Sequence, residues 1–162
     1  MNKIGFGGGC HWCTEAVFQH VDGVQKVEQG WIASSDEDDY FSEAIIAYFD
    51  PTIVTLKNLI HVHLQTHSAT SNHIFRKKYR SAVYTFSSNQ YEKALDILED
   101  YRRNFNKEII TRAMPFRAFK SNVEKYQNYF IKNSENQFCQ RYIVPKLNEY
   151  RKLQTGQSDI SM

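Results

Sequence analysis

The sequence predicts an α+β protein: a single mixed β-sheet with helices packed on it. Three observations carry this. Runs rich in Val, Ile, Phe and Tyr alternate with runs of helical apolar spacing, in the order β-α-β-β-α-β-α-β-α. At 162 residues the chain is long enough to bury one sizeable core. No repeat, low-complexity tract or linker divides it, so residues 1–150 read as one domain and residues 151–162 as a polar, frayed tail.

The elements follow in order. KIGFGGGC is a short strand that runs into a glycine turn, and CHWCTEAVFQHV continues as a helix, with Trp12, Ala16, Val17 and Val21 at helical spacing and Gly23 as the stop. VQKVEQGWIA is a strand, and SSDEDDY an acidic surface turn. FSEAIIAYF is the strongest strand signal, closed by Asp50-Pro51. Thr55 to Gln65 form an amphipathic helix, and THSATSNHIFRKK a polar loop. YRSAVYTF alternates as a strand, and SSNQYEKALDILEDYRRNF is a helix that Ser87 or Ser88 can cap, with Gln90 or Glu92 in its first turn. EIITRAM is the last strand; PFRAFK then leads to SNVEKYQNYFIKN, a helix with aromatic residues on one face.

Composition excludes several classes of function. Lys and Arg number 20 against 18 Asp and Glu, too even a balance for nucleic acid or a membrane surface to be a partner. The start, MNKIGFGGGCHW, has no apolar h-region, and no apolar run approaches the length of a membrane span. A cytoplasmic protein is therefore expected. There, three cysteines, two of them three positions apart, speak for reactive or metal-binding thiols rather than a disulfide framework.

The thiol at the end of the glycine run has a specific electrostatic setting. The first N–H groups of a helix lack intrahelical partners, and the macrodipole places partial positive charge there. Cys10 at that position is expected to ionise readily and act as a nucleophile. The opposing reading is a small buried thiol beside a turn. Cys10-x-x-Cys13 fits either a redox pair or half of a zinc site. No second short-spaced pair completes the latter, and His61 and His63 point apart on a helix, so no metal is expected. Glu43 stands on an apolar strand, either as a surface residue or as a partly buried carboxyl that holds a proton.

Further residues resemble a known family. Gly9-Cys10-His11-Trp12 with Glu15 resembles the GCFW-x-x-E signature of type A peptide methionine sulfoxide reductases. Gly23-Val24 and Gly30-Trp31 are similar to the family's G-V and G-Y. Ser42-Glu43-Ala44 before Asp50-Pro51 resembles its H-x-E-x-V strand ending in Y-D-P. Tyr79-Arg80-Ser81-Ala82-Val83-Tyr84 resembles Q-Y-R-S-A-I-Y. Phe116 through Glu124 with Gln127 and Tyr129, then Lys132-Asn133 and Phe138-Cys139, resemble the family's last two blocks. The matches keep their order from residue 4 to about residue 140.

The resemblance implies a ferredoxin-like core and reduction of methionine S-sulfoxide, free or in peptides. Cys10 is then the nucleophile, Glu43 the acid, Tyr79 a hydroxyl aimed at the sulfoxide oxygen, and Trp12 the floor for the substrate methyl. Cys139 matches the resolving cysteine, with Cys13 as an alternative or a relay. No bound cofactor is implied; thioredoxin or another dithiol supplies electrons. The chain departs from the pattern in places. His11 stands where the family has phenylalanine, either half-polar in the methyl pocket or turned to solvent. The segment before Glu43 is short, leaving Tyr40 to replace a second active-site tyrosine, and Asn72 or His73 to replace a loop aspartate. A general thiol–disulfide oxidoreductase working through Cys10 and Cys13 is the rival enzyme, and a zinc- or redox-sensing module the non-enzymatic one.

Overall fold

A computed structural model describes residues 2–35, 40–67, 79–104 and 109–155. Asn72, His73 and most of the two polar loops expected around them and around residues 36–39 lie outside these residues. Five strands, β1 (Asn2–Gly7), β2 (Val24–Ser34), β3 (Ser42–Phe49), β4 (Ala82–Thr85) and β5 (Arg112–Ser121), form one mixed sheet. Its order is β1-β3-β2-β5-β4, and β4 pairs back to β1, so the sheet closes into a barrel. Every seam is antiparallel except the parallel β4–β5 pair.

Alternation along each strand sorts side chains between two cores. Ile45, Ala47 and Phe49 of β3 join Ile4 and Phe6 of β1 and Val83 of β4 in a core beneath the helices. Ala44 and Ile46 face the other way, into the barrel with Ile32, Ala82, Tyr84 and Met114. The helices α1 (His11–Gln19), α2 (Leu56–Thr66), α3 (Ser88–Asn104) and α5 (Val144–Thr155) cover the first core. Phe6 stacks on Phe18 of α1 with ring centroids 4.6 Å apart; full burial of each such ring contributes about 1.5–3 kcal/mol.

The helix caps follow the sequence signals. Thr55 Oγ1 accepts the Asn58 N–H at the start of α2. Ser87 Oγ accepts the Gln90 N–H while Gln90 Oε1 accepts the Phe86 N–H, a reciprocal cap on α3.

Three expectations are corrected. The last strand is not EIITRAM: residues 109–111 are non-strand, and β5 runs from Arg112 to Ser121. Pro115 is tolerated there because β2 is irregular opposite it, between Ala33 and Ser34, and only its carbonyl is used, accepting from Ser34 Oγ and the Ser35 N–H. The aromatic segment after it is not one helix. A 3₁₀ turn at Glu124–Tyr126 and α4 (Tyr129–Asn133) are separated by Asn128 in a left-handed conformation, φ 56°. Beyond it, a π-helical turn at Cys139–Ile143 leads into α5, which runs five residues past Tyr150 into the expected tail. Ile143, Leu147 and Tyr150 anchor this end in the core at helical spacing.

Gly30 sits where β2 and β5 approach most closely. A Cβ there would stand 2.1 Å from the Lys120 carbonyl oxygen, which is backbone and cannot swing aside. Gly30→Ala is expected to lower unfolding stability by about 3 kcal/mol through this overpacking. An unchanged midpoint in urea would show that the seam is looser than described.

Candidate active site

The site grows from the junction of β1 and α1. Gly8, at φ +153°, turns the chain, and Cys10 becomes the N-cap of α1 with φ −60° and ψ 127°. Its carbonyl accepts the N–H groups of Cys13 and Thr14 at 3.1 and 3.2 Å, so its side chain is set at the positive end of the helix. The thiol lies below the usual range. The main cause is a hydrogen bond from the Cys13 thiol; the Trp12 and Cys13 N–H groups, which face the sulfur without closing a cap bond of ordinary geometry, add to it. Burial and the charge of Glu43 act in the opposite direction.

Cys13 is pushed strongly up, chiefly by donating to Cys10 and by burial. It is thus the thiol that keeps its proton. Its sulfur also lies 3.9 Å from the Tyr142 carbonyl, a second acceptor for the same proton. Cys139 is fully buried in the helix-side core, at the start of the π-helical turn, and burial raises its thiol. The Cys139 N–H is held by Asn136 Oδ1 at 2.8 Å. Cys139 is near enough to Cys13 to act on its ionisation.

Glu43 is 7% exposed, so the surface alternative is excluded. Oε1 accepts the backbone N–H of His11 at 3.2 Å, tying β3 to the first residue of α1. His11 does not turn to solvent. Its ring is buried, Nδ1 is 2.7 Å from the Gly30 carbonyl, Nε2 is 3.5 Å from Glu43 Oε1, and the Trp31 ring meets it edge-on at 5.2 Å.

Trp12 stacks on Tyr129 at 3.9 Å, with Tyr126 and the edge of Phe138 also against it. Glu15 builds this cage. Its buried carboxylate accepts the Asn128 and Tyr129 N–H groups and the Gln29 side-chain amide, at 2.9, 3.1 and 2.8 Å. Gln127 exchanges two side-chain bonds with the Gln29 backbone, which aligns the turn along β2. In the sequence Glu15 stands in a motif without a task, and Gln29, the first buried residue of β2, carries no signal of its role.

Tyr79 lines an apolar cavity of about 360 Å³ together with Cys10, Cys13, His63 and Lys146. Tyr40 lies under the Arg80 guanidinium at 4.7 Å, and Arg80 is itself fixed by the Tyr84 hydroxyl and the Ile32 carbonyl. Among the described residues, no three His, Cys, Asp or Glu side chains gather as a metal would need, and no helix is long and apolar enough to cross a membrane.

A thiol held below its ordinary range at a helix N-terminus, a second thiol beside it that is pushed up, and a third buried near them define a protein of cysteine redox chemistry. Comparison with known proteins narrows the class. The peptide methionine sulfoxide reductase family model matches residues 2–158. The peptide methionine sulfoxide reductase MsrA of Psychrobacter sp. (strain PRwf-1) is 34% identical, covering 94% of this chain and 95% of its own. Among solved structures, methionine sulfoxide reductase A of Corynebacterium diphtheriae superposes with a TM-score of 0.69 at 24% identity, over 83% of this chain and 76% of that one. Mxr1 of Saccharomyces cerevisiae in complex with Trx2 does so with 0.62 at 22%, over 79% and 84%. The chain belongs to the type A peptide methionine sulfoxide reductase family, whose members are oxidoreductases that reduce methionine sulfoxide.

Two outcomes are expected. Cys13→Ala removes the main donor to Cys10, so the midpoint of Cys10 alkylation against pH should rise by about one unit; at neutral pH alkylation then slows, because less thiolate is present. A midpoint that stays put would mean that the helix N-terminus alone sets the thiol. Glu15→Ala strands three buried donors and should lower stability by about 3 kcal/mol in urea unfolding, with quenching of Trp12 fluorescence altered as Tyr129 leaves it.

Proposed function

We propose that this protein reduces the S epimer of methionine sulfoxide, with Cys10 as nucleophile and Glu43 as acid. The observation that carries the reading is the Cys10 thiol, held below its ordinary range at the N-cap of α1, with a buried carboxyl bonded to the next residue of the chain. The Cys10 sulfur attacks the sulfoxide sulfur, and Glu43 gives its proton to the oxygen, which would otherwise carry the developing charge. The new bond between the two sulfurs and the sulfur–oxygen bond of the substrate then break as the hydroxyl passes to Cys10, which is oxidised by two electrons to a sulfenic acid, and methionine leaves with its sulfur reduced. A second thiol then attacks the Cys10 sulfur, expelling water and forming a disulfide. Trp12 offers the substrate methyl an aromatic surface, and Tyr79, which lines the same cavity as Cys10, donates to the oxygen. Tyr40, oriented by Arg80, is the third substrate contact.

Contact between the Cys13 and Cys10 thiols supports Cys13 as the first resolver. Cys139, buried behind Cys13, follows as the partner that moves the disulfide onward. The Mxr1–Trx2 complex in a protein of this fold supports a thioredoxin-like dithiol as the final reductant. A cytoplasmic setting suits three free thiols, and the reaction needs no bound cofactor, nucleic acid or membrane. The strand order β4-β1-β3-β2 supports a ferredoxin-like unit at the heart of the catalytic domain, with β5 closing it.

With the separated epimers and dithiothreitol, turnover is expected for the S form and little for the R form. Cys10→Ser should abolish it, and Glu43→Gln should slow methionine formation by roughly a hundred- to ten-thousand-fold. Equal rates on both epimers, or an active Cys10→Ser protein, would remove the reading.

A further inference from the structure

The Gly30 carbonyl can only accept a hydrogen bond, so the His11 Nδ1 that stands 2.7 Å from it carries hydrogen. In a neutral ring, Nε2 then presents a lone pair, 3.5 Å from Glu43 Oε1. Two lone pairs facing each other in a buried site repel. One proton between them turns repulsion into attraction, whether it is drawn as carboxyl and imidazole or as carboxylate and imidazolium. The ring is pinned by Gly30 and by the Trp31 edge, and the carboxyl by the His11 N–H.

We propose that His11 is a positioning residue that shares one proton with Glu43 and thereby keeps the acid loaded for transfer to the sulfoxide oxygen. The inference rests on the reaction proposed above. Glu43 gives up the proton when the sulfur–oxygen bond breaks; the pair is then one proton short, and solvent restores it after methionine leaves. A distance of 3.5 Å suits a waiting pair, since catalytic hydrogen bonds are often long before substrate binds. Among the described residues, the titratable and charged groups on the surrounding elements include Cys10 at the start of α1, Lys120 of β5 across the Trp31 ring at 5.8 Å, His63 of α2 on the Gly7 carbonyl, Tyr79 at the cavity that Cys10 lines, and Arg80 before β4, with Tyr40 under its guanidinium. Of these, Cys10 must be ionised for attack and so sets the acid limb of the rate; the shared proton sets the basic limb.

The test is the pH profile of methionine formation in a single turnover of the S epimer. His11→Asn keeps a donor for Gly30 and loses Nε2. Its basic limb is expected to move acidward, so that the rate at neutral pH falls roughly tenfold or more while the rate on the acid side of the profile is retained. In a Glu43→Gln background the same change should have less than a twofold effect, since His11 acts through Glu43. A uniform fall at every pH, an unmoved basic limb, or factors that multiply independently would each overturn the proposal. Should the variant not fold, NMR of the wild-type protein decides: His11 Nε2 and Glu43 Cδ signals are expected to shift in one common step, and separate steps overturn it. Wild-type protein that makes no methionine would sink the reaction itself, while the NMR arm would still report on the pair.

Discussion

The hydrogen bond from the His11 N–H to Glu43 Oε1 is the constraint on which the rest of the site depends. It satisfies one of the orphan donors at the start of α1. It also fixes how the helix meets β3, and so where the Cys10 sulfur lies relative to a carboxyl. An oxygen transfer between sulfurs needs a thiolate on one side of the substrate and a proton on the other. This bond locks the two sources to adjacent residues of one junction, whose register is held by antiparallel pairing of β3 with β1 and, regular from Lys26 to Ile32, with β2.

Around that junction the sequence distributes its polar groups by use. Glu15, one turn along α1, is as buried as any core residue, yet its contacts all go to amides. It builds the aromatic wall that holds Trp12 and takes no part in chemistry. Glu43 lies against an imidazole, a polar partner that can itself carry a proton. Two buried carboxyls on neighbouring elements thus have different roles because their neighbours differ, one with only donors and one with a group that titrates. The thiols divide in the same way. Cys13 keeps its proton because Cys10, at the helix terminus, gives its own up more easily.

Much of this was legible in the sequence because it depends on local pattern. The strand–glycine–cysteine–helix order places Cys10, and FSEAIIAYF places Glu43 on an apolar strand, though which face it takes is settled only by the structure. Ser87 and Gln90 cap α3 as their spacing foretells. What was not legible depends on partners far along the chain. Residues 121–133 carry a helical aromatic pattern, but Glu15 accepts the Asn128 and Tyr129 N–H groups and Gln29 Nε2 donates to the Tyr126 carbonyl, which breaks it at Asn128. Pro115 signals a strand end, yet an irregularity in β2 admits it. Cys139 reads as part of a loose end, but Ile143, Leu147 and Tyr150 bury that segment. Nothing local to Cys10-His11-Trp12 shows that His11 would face Glu43; that follows from the pairing of β2 with β3, which brings Gly30 and Glu43 to the same edge.

The central claim is that Cys10 receives the oxygen while Glu43 protonates it. Trapping is the most direct measurement. One equivalent of methionine S-sulfoxide carrying heavy oxygen would be given to protein in which Cys13 and Cys139 are both changed to Ser, with no reductant present. The account predicts one equivalent of methionine and the heavy oxygen on Cys10 as a sulfenic acid, found by mass spectrometry of the Cys10 peptide. Methionine formed with the label in bulk water and Cys10 unmodified, or label on any other residue, would contradict it.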